Sequence, residues 1–135
     1  MIVLDSSIIV GIAKRESDVT ALLEILDAEQ CVIGGPTLVE SRLWCALNLP
    51  GRTSRWLEAF VDEDQVSIVP FSRDMADAAS DAFLRFGRVS GHRAKLNFGD
   101  CMAYAVSSVL RAPLLFKGGD FGQTDVMAHP ASIRF

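Results

Sequence analysis

The chain has 135 residues, half of them apolar and 22% charged. That is one ordinary globular domain, residues 1–135, with no room for a second fold and no disordered or fibrous character. Lys and Arg number 13 against 17 Asp and Glu, a formal net charge of -4, and that sum taken alone argues against a nucleic-acid binder.

From the N-terminus, Ile2-Val3-Leu4 predicts a short strand, and a helix follows from about Ser6. Val19, Leu22, Leu23 and Leu26 recur at helical spacing, with Glu24 and Asp27 on the other side. Cys31-Val32-Ile33 reads as a second strand, ended by Gly34-Gly35. Pro36 suits the first turn of a helix that stops near Pro50-Gly51. Trp56, Leu57 and Phe60 mark a short helix, and Val66 to Val69 a third strand. Ser72 suits the N-cap of a helix running to Phe86. Gly87 to Leu96 reads as a loop, and Phe98 to Leu110 as a helix apolar nearly all round, hence buried on most sides. Leu114-Leu115-Phe116 is a fourth strand broken by Gly118-Gly119, and Ser132 to Phe135 a last short one. Strands alternating with helices imply βαβ crossovers and a parallel sheet covered on both faces, so the fold class is α/β.

The longest stretches without a charged residue, Gln30 to Val39 and Cys101 to Leu110, run to ten residues. A spanning helix needs about 20, so no membrane segment is expected. The opening MIVLDSS has no basic region before Asp5 and does not read as a signal peptide. Cys31, Cys45 and Cys101 are dispersed in apolar surroundings, which suggests reduced core thiols in the cytoplasm.

Several acids sit where solubility does not need them. Asp5 follows the first strand, Asp100 opens the most apolar helix, and Asp120 follows the fourth strand, with Asp125 close behind. Glu40 shares a helix stripe with Leu43, Trp44 and Leu47. Each alone has a structural explanation: a helix cap, a helix N-terminus that favours negative charge, a turn. Glu40 is harder to explain so, because a buried carboxylate needs a partner. In a parallel sheet the junctions gather on one edge, where four carboxylates repel unless a cation joins them. Hard oxygen donors suit Mg²⁺ or Mn²⁺ rather than zinc, and such an ion suits phosphodiester hydrolysis. A phosphatase with its nucleophilic Asp after the first strand would want a second Asp two residues on, where this chain has Ser7.

The segments IVLDSSIIV, TLVES around Glu40, GHRAKLNFGDCMAYAV around Asp100, and LLFKGGDFGQTD resemble, in order and spacing, the PIN-domain ribonucleases and within them the VapC-type toxins of bacterial toxin–antitoxin modules. The resemblance runs essentially end to end. It implies a three-layer α/β/α sandwich around a short parallel sheet, and Mg²⁺- or Mn²⁺-dependent endonucleolytic cleavage of RNA. It maps the family's acidic catalytic and metal site onto Asp5, Glu40, Asp100 and Asp120. It gives Ser7, Thr124 and Asp125 supporting places around them. Gly119 departs from relatives that carry Asp or Asn there. The resemblance also implies inhibition by a cognate antitoxin, and a homodimer or toxin–antitoxin hetero-oligomer. A DNA or structure-specific nuclease of the same fold, or a non-catalytic PIN-like binding module, are the alternatives.

Arg85, Arg88, Arg93 and Lys95 fall in an acid-free stretch leading into Asp100, which points to a loop that grips RNA phosphates. Arg42, Arg52 and Arg55 form a sparser basic group. Trp56, Leu57 and Phe60 are candidates for an antitoxin groove. Setting aside the four site acids of the 17 leaves 13, equal to the 13 basic residues. The net charge then reads as the mark of the site and does not oppose nucleic-acid binding.

Overall fold

Four strands form one parallel sheet in the order β3-β2-β1-β4: β1 (Ile2–Leu4), β2 (Cys31–Gly34), β3 (Val66–Val69) and β4 (Leu114–Leu115). The computed structural model describes residues 1–49 and 51–135; the side chains of residues 52–54 lie outside the description, as does Pro50, where the sequence places a helix stop. In register, Ile2 stands opposite Cys31, Cys31 opposite Val66, and Val3 opposite Leu114.

Alternation along each strand sends side chains to two layers. Ile2, Leu4, Cys31 and Ile33 pack with α1 (Ser6–Ala13), α3 (Leu23–Ala28), α4 (Gly35–Asn48) and α5 (Arg52–Val61). Val3, Val32, Leu114 and Phe116 pack with α6 (Arg73–Phe86) and α7 (Phe98–Leu110). Helices on both faces explain why the strands are nearly continuous apolar runs. The three-layer α/β/α sandwich is therefore as expected. Among the described residues no helix is long and apolar enough to cross a membrane, and all three cysteines are buried and free.

Several elements differ from the sequence reading. The period through Val19 and Leu26 is split into α2 (Ser17–Thr20) and α3. Between them the helix tightens, with the Leu22 N–H donating three residues back to the Val19 carbonyl. Ser132 to Phe135 form no strand, only a single bridge between Lys117 and Ile133. Ser132 replaces the ladder there, its Oγ donating to the Leu114 carbonyl and accepting from the Phe116 N–H. On α4 the buried face is Thr37, Leu38, Ser41 and Cys45, while Val39, Leu43 and Leu47 are exposed. The apolar stripe expected to bury Glu40 thus faces outward, and small residues make the inner contact. Leu57 and Phe60 lie in the core, and the half-buried Trp56 stacks on Phe60 with ring centroids 5.3 Å apart. Two of those three side chains are therefore spent inside the fold and do not line a surface groove.

The end of β2 approaches α7 closely. A Cβ on Gly34 would stand 2.8 Å from Cγ2 of the buried Val106. Gly34→Ala is expected to destabilise the fold by about 1–3 kcal/mol, because a packed, branched side chain has to move. Urea unfolding measures this, and an unchanged midpoint would refute it.

Candidate functional site

The strand order reverses direction between β1 and β4, and in open α/β sheets sites form at the carboxyl ends of strands beside such a point. Asp5 sits there. It is 4% exposed and caps α1, its Oδ2 accepting the Ser7 N–H at 3.0 Å. Its Oδ1 is buried and has no hydrogen-bond partner. Ser7 Oγ accepts the Lys117 N–H at 3.0 Å, tying the start of α1 to the segment after β4. The Lys117 ammonium is turned aside to Asp18 and Glu16.

Asp100 comes from the other layer. It lies in the first turn of α7, preceded by the loop through residues 87–97 and not directly by a strand. Asn97 and Asp100 form a capping box: Asn97 Oδ1 accepts the Asp100 N–H at 2.8 Å, and Asp100 Oδ2 accepts the Asn97 N–H at 2.9 Å. Glu40 reaches across from α4. A Cβ on Gly99 would stand 2.0 Å from Glu40 Oε2 and 2.8 Å from Cδ, so this carboxylate lies directly against the α7 backbone.

The acids feel one another. Burial raises the Asp5 carboxyl above the ordinary range; its bonds with Ser7 oppose this, and the charge of Glu40 adds to it. Asp100 is pushed up to about 7, first by burial and then by the charges of Asp5, Glu40 and Asp120, against the Asn97 N–H. Glu40, Asp5 and Asp120 therefore all lie within electrostatic reach of Asp100. Among the described residues no three His, Cys, Asp or Glu side chains stand close enough to hold one ion as they are placed. Two carboxylates, Asp5 and Asp100, spend an oxygen on capping their own helices. The donors are all hard oxygens, one of them buried without a partner, a set that matches Mg²⁺ or Mn²⁺ by type.

Asp120 is exposed and lines a cavity of about 390 Å³ with Arg88, Gly91, His92 and Lys95. Two residues of the basic stretch, Arg88 and Lys95, therefore share a cavity with Asp120. Arg93 is exposed outside that wall. Arg85 is held elsewhere, between Asp81 at 3.2 Å and Asp125 at 3.1 Å. Asp125 also accepts from Tyr104 Oη, and that bond is the main cause of its lowered carboxyl. Asp125 thus ties α6 to α7. The Thr124 hydroxyl donates to the Phe121 carbonyl and shapes the turn after Asp120. Arg42 pairs with Glu58, and the Arg52 side chain lies outside the described residues.

The sequence reading gave no role to Asn97, Gly99 or Tyr104. Asn97 carried a signal, because Asn-x-x-Asp before an apolar run is a capping-box pattern. Gly99 carried none, since its meaning lies in what stands across from it.

The family model described as "PIN domain" matches residues 2–127. The chain belongs to the PIN-domain family. Its relatives place it among the VapC-type toxins. It is 35% identical over 125 residues to ribonuclease VapC28 of Mycobacterium tuberculosis, covering 92% of this chain and 94% of that one. It is 36% identical over 128 residues to ribonuclease VapC of Mycolicibacterium smegmatis, covering 93% and 98%. A toxin–antitoxin complex from Klebsiella pneumoniae contains a chain of the same fold, with TM-score 0.68, 16% identity and coverage of 98% and 96%. In this PIN domain the switch point of the sheet carries Asp5 on the β1 side and Asp120 on the β4 side, with α4 and α7 bringing Glu40 and Asp100.

Proposed function

We propose that this PIN domain is a Mg²⁺- or Mn²⁺-dependent endoribonuclease and the toxin of a toxin–antitoxin pair. The observation that carries the reading is geometric: Asp5 and Asp120 follow β1 and β4 on either side of the switch point, and Glu40 lies against Gly99, beside Asp100. A structural role for four such acids is poor, because each destabilises its neighbours. Relatives named as ribonucleases over almost the whole chain support the reading.

Asp5, Asp100 and Asp120 are the residues that would hold the ion, with Glu40 either joining them or orienting the attacking water. A bound divalent ion supplies charge stabilisation to the phosphate and to the leaving oxygen. Asp5 is fixed by its own helix and Asp100 by the capping box, so both are oriented before any ligand arrives. Ser7 holds the two strand ends together around them. Arg88 and Lys95, with Arg93 further out, grip backbone phosphates by charge. Attack of water in line with the leaving 3′ oxygen leaves a 5′-phosphate and a 3′-hydroxyl.

The partner in this reading is a cognate antitoxin, with a homodimer or a toxin–antitoxin hetero-oligomer as the assembled form. The exposed Val39, Leu43 and Leu47 on α4 provide an apolar stripe of the kind a partner covers. Free, buried thiols accord with a cytoplasmic location.

The test compares total RNA and single-stranded DNA in Mg²⁺, Mn²⁺ and EDTA, using the parent and Asp5→Asn. RNA cleavage in metal that EDTA abolishes, and that Asp5→Asn lowers by about a hundredfold or more, is expected. Equal cleavage in EDTA, or by Asp5→Asn, overturns the assignment. Preference for DNA favours the nuclease alternative.

A further inference from the structure

The loop between α6 and α7 is built with more care than a charge-bearing surface loop requires. The Leu96 N–H donates to the Phe86 carbonyl at 2.9 Å, and the Arg88 N–H to the Leu96 carbonyl at 3.1 Å, closing its base. It turns at Gly91 with φ +77 and at Lys95 with φ +51, the latter a conformation that a side-chain-bearing residue seldom adopts. Ser90 Oγ donates to the Gly87 carbonyl at 2.7 Å and accepts the His92 N–H at 3.1 Å.

His92 is fixed from three directions. Besides that backbone bond, its ring stands edge-on to Phe86, 5.0 Å between centroids at 80°. Its Nδ1 accepts the Ala94 N–H at 3.0 Å. An imidazole that accepts at Nδ1 carries its proton on Nε2 when neutral. One polar group of the ring, the Nε2–H, is then left to serve a ligand, and His92 lines the cavity with Arg88, Gly91, Lys95 and Asp120. Arg88 and Lys95 enter none of the ion pairs among the described residues.

Two cations, one oriented donor and a carboxylate shared with the acidic site make an asymmetric cavity. An anion belongs on the Arg88 and Lys95 side, away from Asp120. At about 390 Å³ the space is at the small end of ligand cavities, and a bare phosphate would leave most of it empty. We infer that this cavity seats one nucleotide of the RNA beside the bond that is cut, its phosphate on Arg88 and Lys95 and a base or ribose acceptor against the His92 Nε2–H. The inference rests on the ribonuclease reading for its substrate, and it adds a subsite with its own donor. His92 is a binding residue here, distinct from the carboxylates.

The four ribonucleoside 5′-monophosphates and, separately, inorganic phosphate are titrated into the full chain in Mg²⁺ buffer, following the His92 ring and loop amide signals by NMR. Saturable shifts with at least one nucleotide, at lower concentration than with phosphate, are expected. His92→Asn keeps an acceptor for the Ala94 N–H, because Asn side chains bond the backbone two residues on, yet removes the Nε2 donor. It is expected to weaken nucleotide binding about three- to tenfold, the loss of one hydrogen bond. His92→Gln, which restores an N–H near the same place, recovers part of it. Arg88→Ala with Lys95→Ala abolishes the shifts. Unmoved His92 signals, phosphate binding as tight as every nucleotide, or an unaffected His92→Asn variant overturns the inference. RNA cleavage with no nucleotide shifts removes the subsite alone, whereas nucleotide binding without any RNA cleavage removes the ribonuclease reading and leaves the cavity's assignment standing.

Discussion

Asp100→Asn is expected to make the metal-free protein more stable at pH 8 while RNA cleavage falls by about a hundredfold or more. Both effects come from one charge. The Asp100 carboxyl titrates near 7 in the folded protein and near the ordinary 3.8 when unfolded. Between those values the folded chain holds a proton that the unfolded chain has released. Stability therefore falls as pH rises from about 4 to about 7, and the full cost persists above that. Asp5, raised in the same direction, steepens the fall. Asparagine keeps an oxygen for the Asn97 N–H and carries no charge, so it avoids the repulsion. A shift of this size is worth a few kcal/mol at most, and each kcal/mol moves Tm by about 3–5 °C for a domain this long. Added Mn²⁺ is expected to restore the parent's stability and not the variant's, since an ion that binds only the folded state stabilises it. Thermal melts at pH 5 and pH 8, with and without Mn²⁺, test this. A parent Tm that does not change with pH, matched by the variant, would falsify it.

Gly99→Ala is expected to lower RNA cleavage about tenfold or more, towards the level of Glu40→Gln, with the fold intact. The added methyl would fall 2.0 Å from Glu40 Oε2. Helix backbone cannot yield there, but the end of a glutamate can, so the carboxylate moves. Alanine also suits a helix better than glycine, by up to about 1 kcal/mol, so Tm should hold or rise. Glu40→Asp draws the carboxylate back by one methylene and opens that space. Adding Gly99→Ala to Glu40→Asp should therefore cost almost nothing further. Mn²⁺ affinity, measured by EPR, should follow the same pattern in the four proteins. Equal losses from Gly99→Ala in both backgrounds would mean that the methyl acts on something other than Glu40.

Much of this molecule could be read from its sequence because the informative signals were local. Short apolar runs beside Gly and Asp gave β1, β2 and β3 and the junction at Asp5. The long apolar run after Asn97 gave α7. The outward stripe on α4 could not be read in this way: Leu43 and Leu47 look like core residues until Ser41 and Cys45 are seen making the contact. The split of α2 from α3 and the missing last strand turned on single hydrogen bonds that periodicity does not encode. In the site Asp5 and Asp120 were legible as acids after strands, Asp100 as an acid opening an apolar helix, and Glu40 as an acid on a helix stripe. Arg85 and Asp125 looked like site residues because they stand near Asp100 and Asp120 in the chain, yet in space they pair with each other. Opposite charges 40 residues apart carry no mark of their pairing until the helices are packed.

The strand order has a consequence in time. A chain made from its N-terminus produces β1 first, but one neighbour of β1 is β4, and the Lys117 N–H that meets Ser7 lies 110 residues further along. Loop closure over that distance precedes any contact that rewards it. Asp5 can be capped by its own helix early in synthesis, but it faces no Asp100 or Asp120 until those segments have emerged and docked. The four carboxylates therefore come together only as the fold closes, late in the making of the chain.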